Sequence, residues 1–289
     1  MFQYQIFGES HGPAIGVVLE GLPSGVPLDM DFISREMDRR RARAGGLSTT
    51  RLEADAPEIL SGVYKGKLTG TPLCAIIRNG NTRSKDYDKM QTLMRPSHGD
   101  YTGFVRYQGC NDPRGGGHFS GRLTAPLCIA GGVCLQILER MGVRVFARIA
   151  SIADITDDAP FTAPVSEKPF PVVDDTAGQR MQAAIRAAKA EGDSVGGTVE
   201  CVVTGLPVGL GDGMFDGMES RLAHILFGIP AVKGLEFGGG FASSRLRGSE
   251  NNDPFCVQSD HVATQTNPSG GILGGITNGM PLRLRAAFK

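Results

Sequence analysis

Histidines and a concentrated set of arginines are the side chains of this 289-residue chain best able to do chemistry near neutral pH. His11 lies in Phe7-Gly8-Glu9-Ser10-His11-Gly12, a polar, glycine-flanked insert ahead of an apolar run. An imidazole on such a loop can exchange a proton near pH 7. Sequence adjacency does not make Ser10 and His11 a catalytic dyad, and a loop with a capping serine reads the segment equally well. His98 sits between turn residues in Arg95-Pro96-Ser97-His98-Gly99-Asp100. The densest signal is Arg114-Gly115-Gly116-Gly117-His118-Phe119-Ser120-Gly121-Arg122. Three successive glycines let backbone N–H groups approach an anion or a flat ring. No Gly-Lys-Ser/Thr closes this loop, and it is not G-x-G-x-x-G after a strand, so Walker A and Rossmann readings fail.

Asp38-Arg39-Arg40-Arg41-Ala42-Arg43 closes a predicted helix. Cations there complement the helix macrodipole, yet the cluster exceeds what a cap requires. A guanidinium is a planar fork of donors that matches carboxylate and phosphate oxygens. Lys and Arg number 30 and Asp and Glu number 30, so the formal net charge is zero. Balance of that kind argues against nucleic-acid binding through a general basic field and for a local pocket that takes a polyanionic small molecule. Arg51 adds a cation after Ser48-Thr49-Thr50. The six cysteines lack C-x-x-C spacing and mostly sit in apolar runs, which reads as free buried thiols with no metal site. His224, among Leu222, Ile225 and Leu226, reads as a core or interface histidine. His261 falls in the loop 249–268 and receives no role.

The elements that must position these groups alternate. Strands are predicted at 14–22, 71–78, 143–152 and 198–204. Helices are predicted at 30–41, 124–141, 178–191 and 215–227. Residues 156–177, rich in Asp, Pro and Thr, read as a surface excursion. The alternation places the chain in a mixed α/β class. The N-terminus lacks a basic n-region and an apolar h-region, and no apolar run approaches the ~18 residues of a membrane span. A cytoplasmic protein without membrane association is the expectation. Glycine supplies 41 of the 289 residues, about twice its usual share of about 7%. Part of that excess repeats. Val17–Gly25 matches Val202–Gly209 with one deletion, and Gly62, Gly66, Gly70, Pro72, Leu73 match Gly271, Gly275, Gly279, Pro281, Leu282 without gaps. An internal duplication is predicted, with chance the alternative in so glycine-rich a chain.

Taken together, these stretches resemble the chorismate synthase family over essentially the whole chain. The resemblance rests on FGESHG (7–12), DRRR (38–41), SGVYKGKLTGTP (61–72), RSKDY (83–87), RPSHGD (95–100) and RGGG (114–117). It continues through GDSVGG (192–197), PVGL (207–210), IPAVKGLEFG (229–238), GSENND (248–253) and GGILGG (270–275). The resemblance implies one α+β domain over 1–289, a β-α-β sandwich with internal pseudo-twofold duplication, assembled as a homotetramer. It implies a carbon–oxygen lyase that eliminates phosphate from 5-enolpyruvylshikimate 3-phosphate by a 1,4-anti route, giving chorismate. It implies reduced FMN as cofactor, with NADPH the candidate reductant. By the same resemblance His11 protonates the departing phosphate and His98 stabilises the reduced flavin. Ser10, Arg39, Arg40 and Arg51 contact substrate or NADP, and His118, Phe119, Ser120, Pro230, Ala231, Gly274 and Lys289 bind flavin.

Two departures qualify the expectation. The family commonly has Arg-Ser-Ser where this chain has His118-Phe119-Ser120. Lys289 aligns with the lysine that opens the family's Lys-Pro-Thr flavin-phosphate segment, so the domain reads as C-terminally short, a fragment or a natural truncation. Weakened FMN binding and reduced turnover are the expectation for residues 1–289 alone. A catalytically inactive homologue that binds anions or assembles as a scaffold is the alternative reading.

Overall fold

The computed structural model describes residues 2–42, 46–47, 53–80 and 93–289. Arg43, Arg51 and the 83–87 motif therefore lie outside the described residues. Backbone contacts group the chain into two compact units, Met1–Ile137 and Leu138–Lys289.

The first unit opens with strands β1 (Gln3–Gly8) and β2 (Ala14–Glu20), followed by helix α1 (Met30–Arg40). Strands β3 (Glu58–Ser61), β4 (Val63–Tyr64), β5 (Lys67–Leu68) and β6 (Leu73–Arg78) come next, then helices α2 (Asp100–Arg106) and α3 (Thr124–Arg140). A four-stranded sheet runs β1-β2-β6-β3, antiparallel throughout. Ile15, Val17 and Leu19 alternate along β2 and are fully buried, as a strand with one face on a core requires. They pack with Ile33 and Met37 of α1 and with Ala125, Ile129 and Val133 of α3. Burying each such aliphatic side chain contributes about 1.5–3 kcal/mol, which is what holds the helices against the sheet. Helix α1 starts where Asp29 accepts hydrogen bonds from the backbone N–H of Asp31 and Phe32. Buried Gln136 of α3 donates to the Asp29 carbonyl and accepts from the Asp29 N–H, so the two helices are locked in register. The stretch Gly121–Arg140 is long and apolar enough to cross a membrane by length and composition, unlike the expectation from its sequence. Its buried face nonetheless belongs to this core.

The second unit contains β7 (Arg144–Ile152), β8 (Ile155–Thr156), α4 (Asp175–Ala190), β9 (Gly197–Thr204), α5 (Met218–Leu226) and β10 (Val232–Phe237). A short helix α6 (Gly248–Asn251) and a hairpin of β11 (Phe255–Gln258) and β12 (His261–Thr264) follow. Strands β13 (Ile272–Leu273), β14 (Ile276–Thr277) and β15 (Leu282–Phe288) complete it. Its sheet runs β10-β15-β9-β7-β8. Among the described residues every strand pairing is antiparallel, so the class is α+β rather than the α/β that alternation alone suggested. The segment read as a surface excursion is anchored. Phe161 is 2% exposed and lies over Arg148, while Asp157 accepts from the backbone N–H of Ala159, Val173 and Asp174. Isolated anchors amid polar residues carry no period by which sequence could reveal them.

The duplication is borne out bond by bond. Strands β2 and β6 pair with Leu19 opposite Leu73, and β9 and β15 pair with Val203 opposite Leu282. This register aligns residues 19–25 with 203–209 directly, so the deletion assumed from sequence is unnecessary. Gly25 N–H donates to Leu68 and Gly209 N–H to Thr277. Leu28 donates to Gly66 and Met218 to Gly275, and Thr69 donates to Gly62 and Asn278 to Gly271. The β4–β5 and β13–β14 hairpins both turn on two left-handed residues, Lys65-Gly66 and Gly274-Gly275, the pattern of a type I′ turn. Gly62 and Gly271 have φ of +85° and +86°. A Cβ on either would collide with backbone, at Leu73 and Leu282 respectively. Gly62→Ala and Gly271→Ala should therefore each cost about 2 kcal/mol or more in urea unfolding. Gly25→Ala, with φ +81° but open space around it, should cost about 1 kcal/mol.

Candidate active site

The loop between β1 and β2 carries Ser10, fully buried, and His11, 6% exposed. Asn79, just past β6, holds this loop by donating from Nδ2 to the carbonyls of Glu9 and Gly12 at 3.0 and 2.8 Å. Ser10 N–H donates to the Gly117 carbonyl at 3.1 Å, tying the loop to the glycine triplet. That triplet is no helix. Gly115, Gly116 and Gly117 have φ of +60°, +85° and +53°, a sequence of angles open to glycine and strained for other residues. Gly115 presses against the His11 ring so closely that a Cβ would overlap it. A Cβ on Gly116 would stand 3.0 Å from His98 Cε1 and 3.1 Å from Nε2. Two imidazoles distant in sequence thus meet consecutive residues of one side-chain-free turn.

His98 is held from its other edge. Its Nδ1 lies 2.7 Å from Asp100 Oδ1. Arg95 donates to Asp100 from Nε and Nη2, both at 2.8 Å, and from its backbone N–H at 3.0 Å. Those bonds hold the Asp100 carboxyl well below the usual carboxylate range, against the opposing effect of burial. Asp112 is likewise lowered, chiefly by hydrogen bonds from Arg114. Glu9 is raised, first by burial and then by the neighbouring Asp112 charge.

Arginines of the α1 C-terminus diverge. Arg40 follows Ile33 and Met37 at helical spacing, on the inward stripe. It donates to Asp55 Oδ2 at 2.7 Å and to Thr124 Oγ1 at 3.1 Å. Asp55, its side chain 2% exposed, also pairs with Arg122, whose Nε donates to Asn79 Oδ1 at 3.2 Å. One connected network therefore runs from Arg40 through Asp55, Arg122 and Asn79 to the His11 loop. Arg122 Nη2 is buried without a hydrogen-bond partner among the described residues. Arg39 instead pairs with Glu36 on the helix surface, and Arg41 with Asp38 and the Ala54 carbonyl. Asp55, Asn79, Asp100 and Arg122 were not among the residues singled out from sequence. Asp100 and Arg122 stood inside motifs already marked, whereas nothing around Asp55 or Asn79 distinguishes them.

The chorismate synthase family model matches residues 2–289. The chain belongs to the chorismate synthase family. Chorismate synthases of Dehalococcoides mccartyi and Thermococcus gammatolerans are each 46% identical to it, with all of this chain covered and 80% and 81% of theirs. A chorismate synthase of Chitinophaga pinensis is 45% identical over all of this chain and 79% of its own. A crystal structure of chorismate synthase superposes with a TM-score of 0.83 at 29% identity, covering 100% of this chain and 83% of that one.

The residues that chorismate synthase resemblance assigns to flavin fall into two sets. In the first unit, His118 Nδ1 lies 3.0 Å from the Gly8 carbonyl. Phe119 covers Gly99 and Gly103 of the α2 region and lies near Tyr107, and Ser120 accepts from Arg122 N–H. In the second unit, Lys289 N–H donates to the Ala231 carbonyl at 3.0 Å, and Lys289 Nζ donates to the Ser194 carbonyl at 2.8 Å. Ala231, after Pro230, has φ +72°, and Gly274 borders open space. His224 is exposed, which removes the core alternative read from its neighbours and leaves the interface one. Met218, Leu222 and Leu226 form the partly buried, inward stripe of α5, and His224 stands about 200° round the helix from Leu222. His261 stands exposed on β12. The cysteines are free thiols; burial pushes Cys201 up to about 11 and raises Cys128 and Cys134.

Two outcomes follow from these charges. Asp55→Asn leaves two guanidiniums short of a carboxylate and should destabilise by about 3–5 kcal/mol in urea. Asp55→Ala should cost more, because φ is +50° at this position. Asp100 and Asp112, both lowered, contribute stability that is full above about pH 3.9 and drains as the pH falls toward their folded values. Glu9, raised, acts in the opposite sense, favouring the fold in acid. Asp100→Asn should therefore show a shallower stability loss than the parent between about pH 4 and 2. Equal slopes would mean that Asp100 is not held ionised.

Proposed function

We propose that this chain catalyses the 1,4-anti elimination of phosphate from 5-enolpyruvylshikimate 3-phosphate, giving chorismate (EC 4.2.3.5). The observation that carries the reading is the placement of His11 and His98 against Gly115 and Gly116 of one turn, beside a fixed arginine network. The reaction breaks the C3–O bond to phosphate and the C6–H bond, and forms a second ring double bond. His11 gives its proton to the phosphate as that bond breaks, which lowers the charge the leaving group must carry away. Arg40 presents its fork to an anionic group of the substrate, with Asp55 and Thr124 setting its direction. The buried donor of Arg122 supports an anion-receiving site, and Ser10, Arg39 and Arg51 are assigned further substrate or NADP contacts by the family pattern.

Reduced FMN is proposed as cofactor, with NADPH as its reductant. The side-chain-free turn beside His98 suits a flat, electron-rich ring. When bound, reduced flavin would supply the electron density that phosphate loss requires and a basic site for the C6 proton. His98 is assigned the stabilisation of its negative charge, and Pro230, Ala231, Gly274 and Lys289 are assigned contact with it. His118, Phe119 and Ser120 have side chains engaged within their own unit, which favours contact through backbone from that stretch.

Homotetrameric assembly is proposed as well. Phe255, Val257 and Val262 share one face of the β11–β12 hairpin and are 66%, 75% and 66% exposed, surface that association would cover. A cytoplasmic location accords with a pathway of small soluble metabolites.

The test is an anaerobic assay of the purified protein with reduced FMN and the enolpyruvyl substrate. Phosphate release should accompany chorismate formation, and His11→Ala and His98→Ala should each lower kcat by about 100-fold or more. Unchanged release in both variants would remove the proposed roles.

A further inference from the structure

The geometry points to Phe119 as a positioning residue that seats helix α2, and His98 with it, against the glycine turn. The inference rests on the role given to His98 under the proposed function, but its observations are separate. Gly99, Gly103 and Tyr107 follow one another at four-residue spacing, on one side of the α2 segment. The Phe119 ring lies along that side. A Cβ on Gly99 would stand 3.0 Å from Phe119 Cγ, and one on Gly103 would overlap Cε2. Tyr107 closes the stripe, its ring centroid 6.2 Å from that of Phe119 and the two planes tilted by 45°. Two absent side chains thus form a slot, and one aromatic ring fills it.

What the ring holds is a block tied within itself. Arg95 donates to Asp100 from its backbone N–H, Nε and Nη2, and Nη2 also hydrogen-bonds His98 Nδ1 at 3.1 Å. Gly103 N–H donates to the Gly99 carbonyl at 2.8 Å, and Tyr107 N–H to the Gly103 carbonyl at 2.9 Å. Among the described residues, the hydrogen bonds of 96–107 all close within 95–110. Packing of Phe119 joins this block to the stretch that carries the turn. Phe119 follows that turn directly after His118, and the residues it grips follow directly after His98. One short stretch therefore brings Gly116 to the His98 ring and, through Phe119, sets where that ring stands.

Gly103 supplies the test of the packing. It lies inside α2 without a positive φ, where alanine is the better helix former, so Gly103→Ala is harmful only through the ring it meets. It should lower the urea midpoint of the parent and leave that of Phe119→Ala unchanged or raised. A loss in both backgrounds would overturn the packing. Histidine-labelled whole protein then reports position by NMR, with His98→Ala identifying the His98 ring signals. Gly103→Ala, which keeps the ring, and Phe119→Ala should each displace those signals, while the signals of exposed His224 and His261 stay in place. Unmoved His98 signals, or shifts at all three histidines, would overturn the inference. Turnover provides a further reading. Phe119→Ala should lower kcat by about 10- to 100-fold while KM for the enolpyruvyl substrate changes by less than about threefold, and Phe119→Leu should recover part of the loss. In the His98→Ala background, Phe119→Ala should cost less than about threefold more, because the two act as one unit. A full additional loss there would place the effect of Phe119 elsewhere and sink the inference. Absence of turnover in the parent would defeat the proposed function, while the His98 signals would still decide the role of Phe119.

Discussion

A buried carboxylate shared by two guanidiniums organises the chemistry of the first unit. Asp55 is closed off from water, and so is Arg122. Charges in that setting are tolerable only when paired and hydrogen-bonded, so the position of Asp55 dictates where Arg40 and Arg122 can stand. Arg122 then reaches Asn79, and Asn79 holds the two carbonyls that bracket the His11 turn. The loop bearing the proposed acid is in this way referenced to the same carboxylate that aims the proposed anion-binding arginine. Displacing Asp55 would move both, which is the sense in which distant residues of β1, α1, β6 and α3 compose one site.

The core makes that arrangement attainable. Helix α1 can deliver Arg40 to Asp55 only if its axis and rotation are fixed. Its rotation is set by Ile33 and Met37 in the core, and its start by Asp29, whose backbone is clamped by Gln136. Arg39, one residue away and about 100° round the helix, points to Glu36 and leaves the network. Among the described residues of the arginine cluster, Arg40 is the one that joins this network.

Much of this was legible in the chain, and what was hidden has common physical causes. His11, His98 and the glycine triplet were visible because turns and bare backbone leave a compositional trace. Helices α1 and α3 and strands β2, β6, β7 and β9 followed from apolar spacing, within a few residues at their ends. Asp55 and Asn79 were invisible because each is a single polar residue whose meaning comes from a partner far along the chain. Helical phase narrows the two places offered for His224, because Met218, Leu222 and Leu226 define the inward face of α5 and leave His224 exposed. Phe161 and Asp157 were missed because a buried anchor inside an irregular segment has no period to detect.

The glycines divide along the duplication, and the division separates scaffold from site. Gly62, Gly66 and Gly70 recur as Gly271, Gly275 and Gly279, in corresponding turns with φ between +72° and +86°. They answer a demand of the repeated backbone, which must turn sharply between the same strands in both units. Gly115, Gly116 and Gly117 belong to no matched pair, and their φ values support no regular element. Against Gly115 stands the His11 ring, too close for a methyl group, against Gly116 the His98 ring in tight contact, and against Gly117 the Asp112 carbonyl. Backbone that is costly to order, absent from the repeat and pressed against two titratable rings is better explained by the reaction than by the fold.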